Sequence, residues 1–136
     1  MKKSRMLQSV SAVVLALGII VGGASFSSAA TYTAYVLQPL NVNNYTSYHS
    51  KTTALQYIQN KVTAFTNTSS ANFWAQTDGS FGAVTISQKY LQRVSSNYTT
   101  INFNTNLSVG NNVRLAMENA TTQSTNAFVS GDVIFH

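Results

Sequence analysis

Apolar and polar residues alternate in short runs along most of the chain after residue 30. The clearest run is Ile101–Val109, where odd-numbered positions are apolar or threonine and even-numbered positions are asparagine or serine. An alternation with a period of two is typical of a strand that buries one face and exposes the other. The run therefore predicts a half-buried strand.

Further segments have similar strand character, and turn residues separate them. They are Thr31–Leu37, Lys61–Asn67, Asn72–Gln76, Phe81–Leu91, Val113–Glu118 and the two halves of 126–135. Asp78-Gly79 predicts a hairpin, and Gly131 predicts a bulge or bend. The spacing predicts an all-β fold, a small antiparallel β-sandwich of about six or seven strands after an N-terminal signal helix, with one domain over 31–136.

The stretch 52–60 fits two structures. Leu55, Ile58, Val62 and Phe65 have helical spacing, whereas residues 61–67 alternate as a strand does. A short helix over Ala54–Asn60 and a strand through this region both agree with the pattern.

Residues 1–30 have the three-part order of a secretory signal peptide. Lys2, Lys3 and Arg5 precede an apolar run over Val10–Val21, and small residues close the segment. The run is shorter than the roughly 20 apolar residues that a spanning helix needs. We expect cleavage near Ala29 or Ala30, no stable transmembrane anchor afterwards, and a secreted, extracellular product.

Charge is scarce once the predicted signal peptide is set aside. Five basic and three acidic residues remain after residue 30, so the charge of +5 for the whole chain falls to about +2. A nucleic-acid partner is not expected, because such proteins carry a dense basic face. The chain has no cysteine, and a cysteine-free exported domain fits a Gram-positive bacterium.

The residues needed for common catalytic and metal sites are few. The chain has two histidines, His49 and His136, and three acidic residues after residue 30. Zinc sites use three or four protein ligands, and glycosidases use paired carboxylates. We expect no catalytic residues, no metal and no cofactor, and we expect Glu118 to pair with a cation such as Arg114.

Tyrosines give the candidate binding site. Tyr45, Tyr48 and His49 lie in an otherwise polar loop, whereas most other aromatic residues lie in strand-like segments that predict core positions. Exposed aromatic rings can stack on sugar rings. The pattern makes these three residues candidates for binding a cell-envelope component or a wall polysaccharide.

The second half of the chain resembles an uncharacterised family of small secreted Gram-positive proteins. The resemblance depends on Phe73-Trp74, on the run Val113–Asn119 and on the closing Phe128–Gly131. The chain departs from the family at Ile134–His136, where a tryptophan or an acidic ending is usual. The resemblance implies a β-sandwich and export, and it implies no activity.

A weaker likeness is to lactococcin-type secreted bacteriocins. It depends on Tyr45 and on the run Tyr48–Thr52, and the aromatic C-terminal tail of those proteins is absent. Together these features predict a secreted non-enzymatic protein at the cell envelope, bacteriocin-like in its action. The alternative is a carbohydrate- or cell-wall-binding module.

Overall fold

Ten strands form the fold in the computed structural model, which describes residues 27–136. In chain order they are β1 Ser28–Leu37, β2 Asn44–Tyr45, β3 His49–Ser50, β4 Tyr57–Thr66, β5 Ala71–Gly79, β6 Gly82–Thr85, β7 Tyr90–Gln92, β8 Thr99–Asn102, β9 Asn112–Asn119 and β10 Ala127–Phe135. Among the described residues, one 3₁₀ turn, Pro39–Asn41, follows β1 and separates it from β2.

The strands form two antiparallel sheets. The four-stranded sheet has the order β1-β10-β4-β8. The six-stranded sheet has the order β2-β9-β5-β6, with β3 also paired to β9 and β7 also paired to β5. The long strands β5 and β9 form the middle of the second sheet, so their outward side chains have neighbours on both sides.

The hydrophobic core takes residues from both sheets. Tyr32, Val62 and Phe135 come from the four-stranded sheet, and Phe73 and Leu115 come from the six-stranded sheet. Two sheets that share a core in this way confirm the predicted all-β antiparallel fold. The predicted signal helix falls outside residues 27–136. No helix within that range is long and apolar enough to cross a membrane.

The first strand begins earlier than predicted and contains a bulge. Ser28, Ala29 and Ala30 already pair with β10, so the residues at the predicted cleavage point lie in β1. The register shifts between Tyr32 and Tyr35, and φ of Ala34 is 51°. An extra residue reverses the inward face of a strand. Tyr32 and Leu37 are consequently both buried, although simple alternation places them on opposite sides.

The ambiguous stretch resolves as a strand from Tyr57 onward. β4 runs through Tyr57–Thr66, and no residue from 52 to 60 is helical. Its side chains alternate, with Ile58, Asn60 and Val62 buried. The pairing of β4 with β10 on one side and β8 on the other fixes the extended conformation. The helical alternative is wrong because these two neighbours satisfy the backbone groups of β4.

The predicted strand Ile101–Val109 is wrong beyond Asn102. β8 pairs with β4 only as far as Tyr57, and the chain then leaves the sheet. Gln56 supplies the next hydrogen bonds: its carbonyl accepts from Phe103 N, and its side-chain Oε1 accepts from Leu107 N at 2.8 Å. A side chain thus takes the place of a partner strand, and this substitution is not visible in the local pattern.

The predicted hairpin exists, but its turn lies two residues later. Gly79 pairs with Gly82, so Ser80 and Phe81 are the turn residues and Asp78 belongs to β5. The predicted strand Phe81–Leu91 is split into β6 and β7. Ile86 lies between them and is buried, and its burial ends the regular alternation.

A β-bulge occurs opposite Gly131, near the predicted position, but its extra residue is Thr63 of β4 and not a residue of β10. β10 is continuous, and its register against β4 shifts between Ser130 and Gly131. A Cβ atom at position 131 would overlap the Tyr32 ring and the Lys61 carbonyl oxygen. Glycine is therefore needed here so that the Tyr32 ring can pack on the backbone of β10.

Candidate functional site

The outer face of the six-stranded sheet carries a group of aromatic and charged side chains in mutual contact. On β9, Val113, Leu115 and Met117 point to the core. Period-two alternation therefore turns Arg114 and Glu118 outward. The outward side chains of β5, Trp74 and Gln76 among them, lie beside those of β9 because the two strands pair.

Arg114 lies between two tyrosine rings. Its guanidinium carbon is 3.8 Å from the centroid of the Tyr45 ring and 4.8 Å from that of Tyr48. Tyr45 reaches this position because β2 pairs with β9 and sets Tyr45 opposite Ala116. Contacts of a guanidinium with two ring faces combine cation–π attraction and stacking. We call Tyr45, Tyr48 and Arg114 the tyrosine–arginine site.

Gln76 orients the guanidinium. It lies directly opposite Arg114 across the β5–β9 pair, and its Oε1 accepts from Arg114 Nε at 3.1 Å and from Nη2 at 2.9 Å. Gln76 Nε2 donates in turn to Thr85 Oγ1 at 3.4 Å. A guanidinium that an amide holds on one edge and that two rings contact has little freedom left, so its remaining N–H groups have fixed directions.

No carboxylate among the described residues neutralises Arg114. The two ion pairs in this part of the chain are Lys61–Asp132 at 3.1 Å and Lys89–Glu118 at 2.7 Å. The expectation that Glu118 pairs with a cation is confirmed, but the partner is Lys89 rather than Arg114. Within the described residues, the guanidinium of Arg114 is therefore held by rings and an amide and not by an opposite charge.

A second cluster on the same face is already neutral. The Lys89 ammonium lies 4.7 Å from the centroid of the Trp74 ring and pairs with Glu118, which also accepts from Asn72 Nδ2 at 3.1 Å. Trp74 is only 2% exposed. The Lys89 side chain and the sheet therefore cover the tryptophan, and its ring does not offer a free stacking surface.

His49 is separate from the tyrosine–arginine site. Its ring stacks on Phe135 at 4.3 Å between centroids, and its Nδ1 lies 3.3 Å from Ser28 Oγ. Consecutive strand residues point to opposite faces, so Tyr48 and His49 diverge at the start of β3. Burial lowers the pKa of His49 below its ordinary value.

The structure thus brings together two of the three predicted binding residues and adds two that the sequence did not indicate. Tyr45 and Tyr48 meet around Arg114, and Gln76 completes the arrangement. Arg114 and Gln76 are on the outward side of segments that the sequence did predict as strands. Alternation alone could have placed them on an outer face, but the approach of Tyr45 depends on the β2–β9 pairing.

The described residues show no arrangement for metal binding: within 27–136, no three His, Asp or Glu side chains are grouped closely enough to hold an ion. Comparison with protein-family models, curated proteins and solved structures finds no match to this chain. The family resemblance and the bacteriocin likeness stay predictions from the sequence.

Proposed function

We propose that the protein is a secreted, non-enzymatic protein that acts outside the cell, at the cell envelope, where it binds wall polysaccharide. The observation that carries the proposal is the tyrosine–arginine site, a guanidinium fixed between two rings on an outer sheet face. The site supports a binding role, because its interactions are ring contacts and hydrogen bonds that hold a charged group in one orientation.

The charge of the site indicates the kind of polysaccharide. An arginine fork matches the geometry of phosphate and carboxylate oxygens and binds them with charge-assisted hydrogen bonds. Arg114 has no carboxylate partner within the described residues, and the rings of Tyr45 and Tyr48 flank it with apolar surface for a sugar ring. An acidic wall polymer, with phosphodiester or carboxylate groups along a sugar-rich chain, satisfies both features.

The proposal is tested by sedimentation of the purified protein with isolated Gram-positive cell walls. We expect Arg114→Gln to weaken binding about tenfold or more, and Arg114→Lys to rescue it only in part, because lysine keeps the charge and loses the fork. Arg93→Gln is the matched control: Arg93 is exposed and makes no ion pair with the described residues. Equal effects of Arg114→Gln and Arg93→Gln would contradict the proposal.

Tyrosine variants test the stacking contribution. Tyr48 is 37% exposed and contacts the guanidinium of Arg114. Tyr98 is 38% exposed and contacts the Lys61 ammonium. The two rings are therefore matched in exposure and in having a cation contact. We expect Tyr48→Ala to weaken wall binding and Tyr98→Ala to leave it within about twofold. The same sedimentation is then repeated with walls from which the acidic polymers have been removed and with walls from which the peptide carboxylates have been removed. The preparation that no longer binds the protein identifies the anion.

Bacteriocin-like action remains a prediction from the sequence. It requires that the purified protein inhibit the growth of related bacteria at micromolar concentration. If growth is unchanged while wall binding persists, the protein is a binding module without toxicity.

A further inference from the structure

A cleft opens where β7 approaches the end of β8. Five residues line it, and the open volume is about 350 Å³. They are Gln88, Tyr90, Asn102, Phe103 and Asn104. This volume lies within the range of small-molecule clefts, about 300–1,000 Å³. The tyrosine–arginine site and the cleft share no residue.

Backbone hydrogen bonds hold the two sides of the cleft together. Asn104 N donates to the Ile86 carbonyl at 2.7 Å. Asn102 N donates to the Tyr90 hydroxyl oxygen at 3.3 Å. The Tyr90 and Phe103 rings are half-buried and pack against the core. The cleft is therefore preformed, and a ligand does not have to order the chain on binding.

The polar groups of the cleft are three carboxamides with spare hydrogen-bonding capacity. The side chains of Gln88 and Asn102 make no hydrogen bond with any described residue, and Asn104 Oδ1 only accepts from Thr105 Oγ1 at 3.4 Å. Each carboxamide offers two N–H donors and one carbonyl acceptor. Together with the Tyr90 hydroxyl, they form a dense set of uncharged donors and acceptors beside two aromatic rings.

None of the five residues that line the cleft is charged. Lys89 lies between Gln88 and Tyr90 in the sequence, but its ammonium is engaged with Glu118 and the Trp74 ring. The cleft thus offers hydrogen-bond donors but no cation to a phosphate or a carboxylate, which distinguishes it from the tyrosine–arginine site.

We infer that this cleft binds a neutral saccharide. A sugar ring has an apolar face of C–H groups that packs on aromatic rings, and hydroxyls that both donate and accept around its edge. Tyr90 and Phe103 supply the first kind of contact, and the carboxamides of Gln88, Asn102 and Asn104 supply the second. Because the cleft is open and the ligand small, dissociation constants on the order of 1 mM are expected.

The inference stands apart from the proposed function, because its ligand is uncharged and its residues are different. Binding at the cleft does not require Arg114, and acidic-polymer binding does not require Asn102. Failure of one therefore leaves the other intact, and the variants below separate the two.

The test is an NMR titration of ¹⁵N-labelled purified protein with three neutral probes: N-acetylglucosamine, its linear trimer and cellotriose. We expect saturable shifts of the side-chain amide signals of Gln88, Asn102 and Asn104 with at least one probe. Asn102→Ala is expected to weaken binding at least tenfold. Asn106→Ala is the matched control, since Asn106 belongs to the same alternating asparagine run but does not line the cleft. Arg114→Gln should leave these shifts unchanged.

Three outcomes overturn the inference. They are no saturable shift with any of the three sugars, equal weakening by Asn102→Ala and Asn106→Ala, and stronger shifts of the same signals by uridine than by every sugar. The last would assign the cleft to a nucleoside, which can also stack and bind carboxamides. Retained dispersion of the backbone amide signals shows that each variant is folded, so that loss of binding is attributable to the cleft.

Discussion

His49 is a partly buried histidine whose neutral form the fold prefers. Burial lowers its pKa from the ordinary value of 6.5, and burial together with the nearby Lys51 lowers that of His136. A group whose pKa is depressed in the folded state binds fewer protons there than in the unfolded chain. Its stabilising contribution is complete above pH 6.5, and it is lost as the pH falls through the folded-state pKa.

We therefore expect the free energy of unfolding, measured by urea titration, to decrease between about pH 7 and about pH 5. His49→Phe retains a ring to stack on Phe135 and should flatten part of this dependence. Asp132 does not contribute to this pH range. The Thr31 hydroxyl and Lys61 lower its pKa below 3.8, so its effect on the free energy of unfolding falls in more acidic solutions. A slope unchanged by His49→Phe would contradict the prediction.

A substitution at Gly131 tests the close contact between the backbone of β10 and the Tyr32 ring. A Cβ atom there would overlap the Tyr32 ring and the Lys61 carbonyl oxygen, and neither can move freely because Tyr32 is 2% exposed and the carbonyl belongs to β4. We expect Gly131→Ala to reduce the free energy of unfolding by about 3 kcal/mol. Thr63→Ala, an exposed change on β4, should stay within about 0.5 kcal/mol in the same denaturant titration. Similar values for the two variants would show that the strand shifts without cost.

At the scale of the elements, the start of β1 bears on the predicted cleavage. Ser28, Ala29 and Ala30 pair with residues 133–135 of β10, and Ser28 also contacts His49. A chain that begins at Thr31 loses these pairs and exposes an edge of β10. We expect it to be less stable than a chain that begins at Ser28, by about 2 kcal/mol in urea titrations.

A chain that begins at Ser27 is the control, because Ser27 lies outside the strand, and it should match the Ser28 chain. N-terminal sequencing of the exported protein gives the natural start. If that start is Thr31 and the stability is unaffected, the pairing of residues 28–30 contributes nothing to the mature fold.

Local patterns predicted most of the long strands, the edge strand β1 included. β9 was predicted from the alternation over 113–118, and β4 and β10 from similar runs. The run Ile101–Val109 alternates more regularly than any of these, yet it is a strand only to Asn102. The ladder with β4 ends at Tyr57, and beyond it only Gln56 supplies hydrogen bonds, one from its backbone carbonyl and others from its side chain. Alternation reports which side chains face the core, and it does not report whether a neighbouring strand is present.

The candidate site was predictable only in part, for the same reason. The loop with Tyr45 and Tyr48 was recognisable from its composition. Its partner Arg114 comes from a strand far along the chain, and only the β2–β9 pairing brings them together. A separate pairing, that of β3 with β9, sets His49 opposite Val113, and its ring stacks on Phe135. A contact between distant segments determines which of the three predicted residues share a site.

At the scale of the whole molecule, every charged side chain of the described residues is either paired or buried, except Asp78, Arg93 and Arg114. Lys61 and Lys89 have carboxylate partners, and Lys51 is 2% exposed, which lowers its pKa. Arg93 projects from an exposed turn, and Arg114 is held by rings and an amide. Among the basic residues of the described chain, only Arg114 combines an unneutralised charge with a fixed orientation, so on our proposal a polyanion would meet one specific cationic contact on a nearly neutral domain.

The two binding surfaces should act independently. The tyrosine–arginine site and the cleft share no side-chain hydrogen bond, and residues without shared partners contribute additively. In the double variant Arg114→Gln/Asn102→Ala, we expect the loss of free energy of wall binding to equal the sum of the two single losses within about 0.5 kcal/mol. The measurement is wall sedimentation with all four proteins of the cycle. A larger coupling energy would mean that one polymer spans both surfaces. Release of the polymer from one site would then weaken its binding at the other, because the effective concentration of the polymer at that site falls.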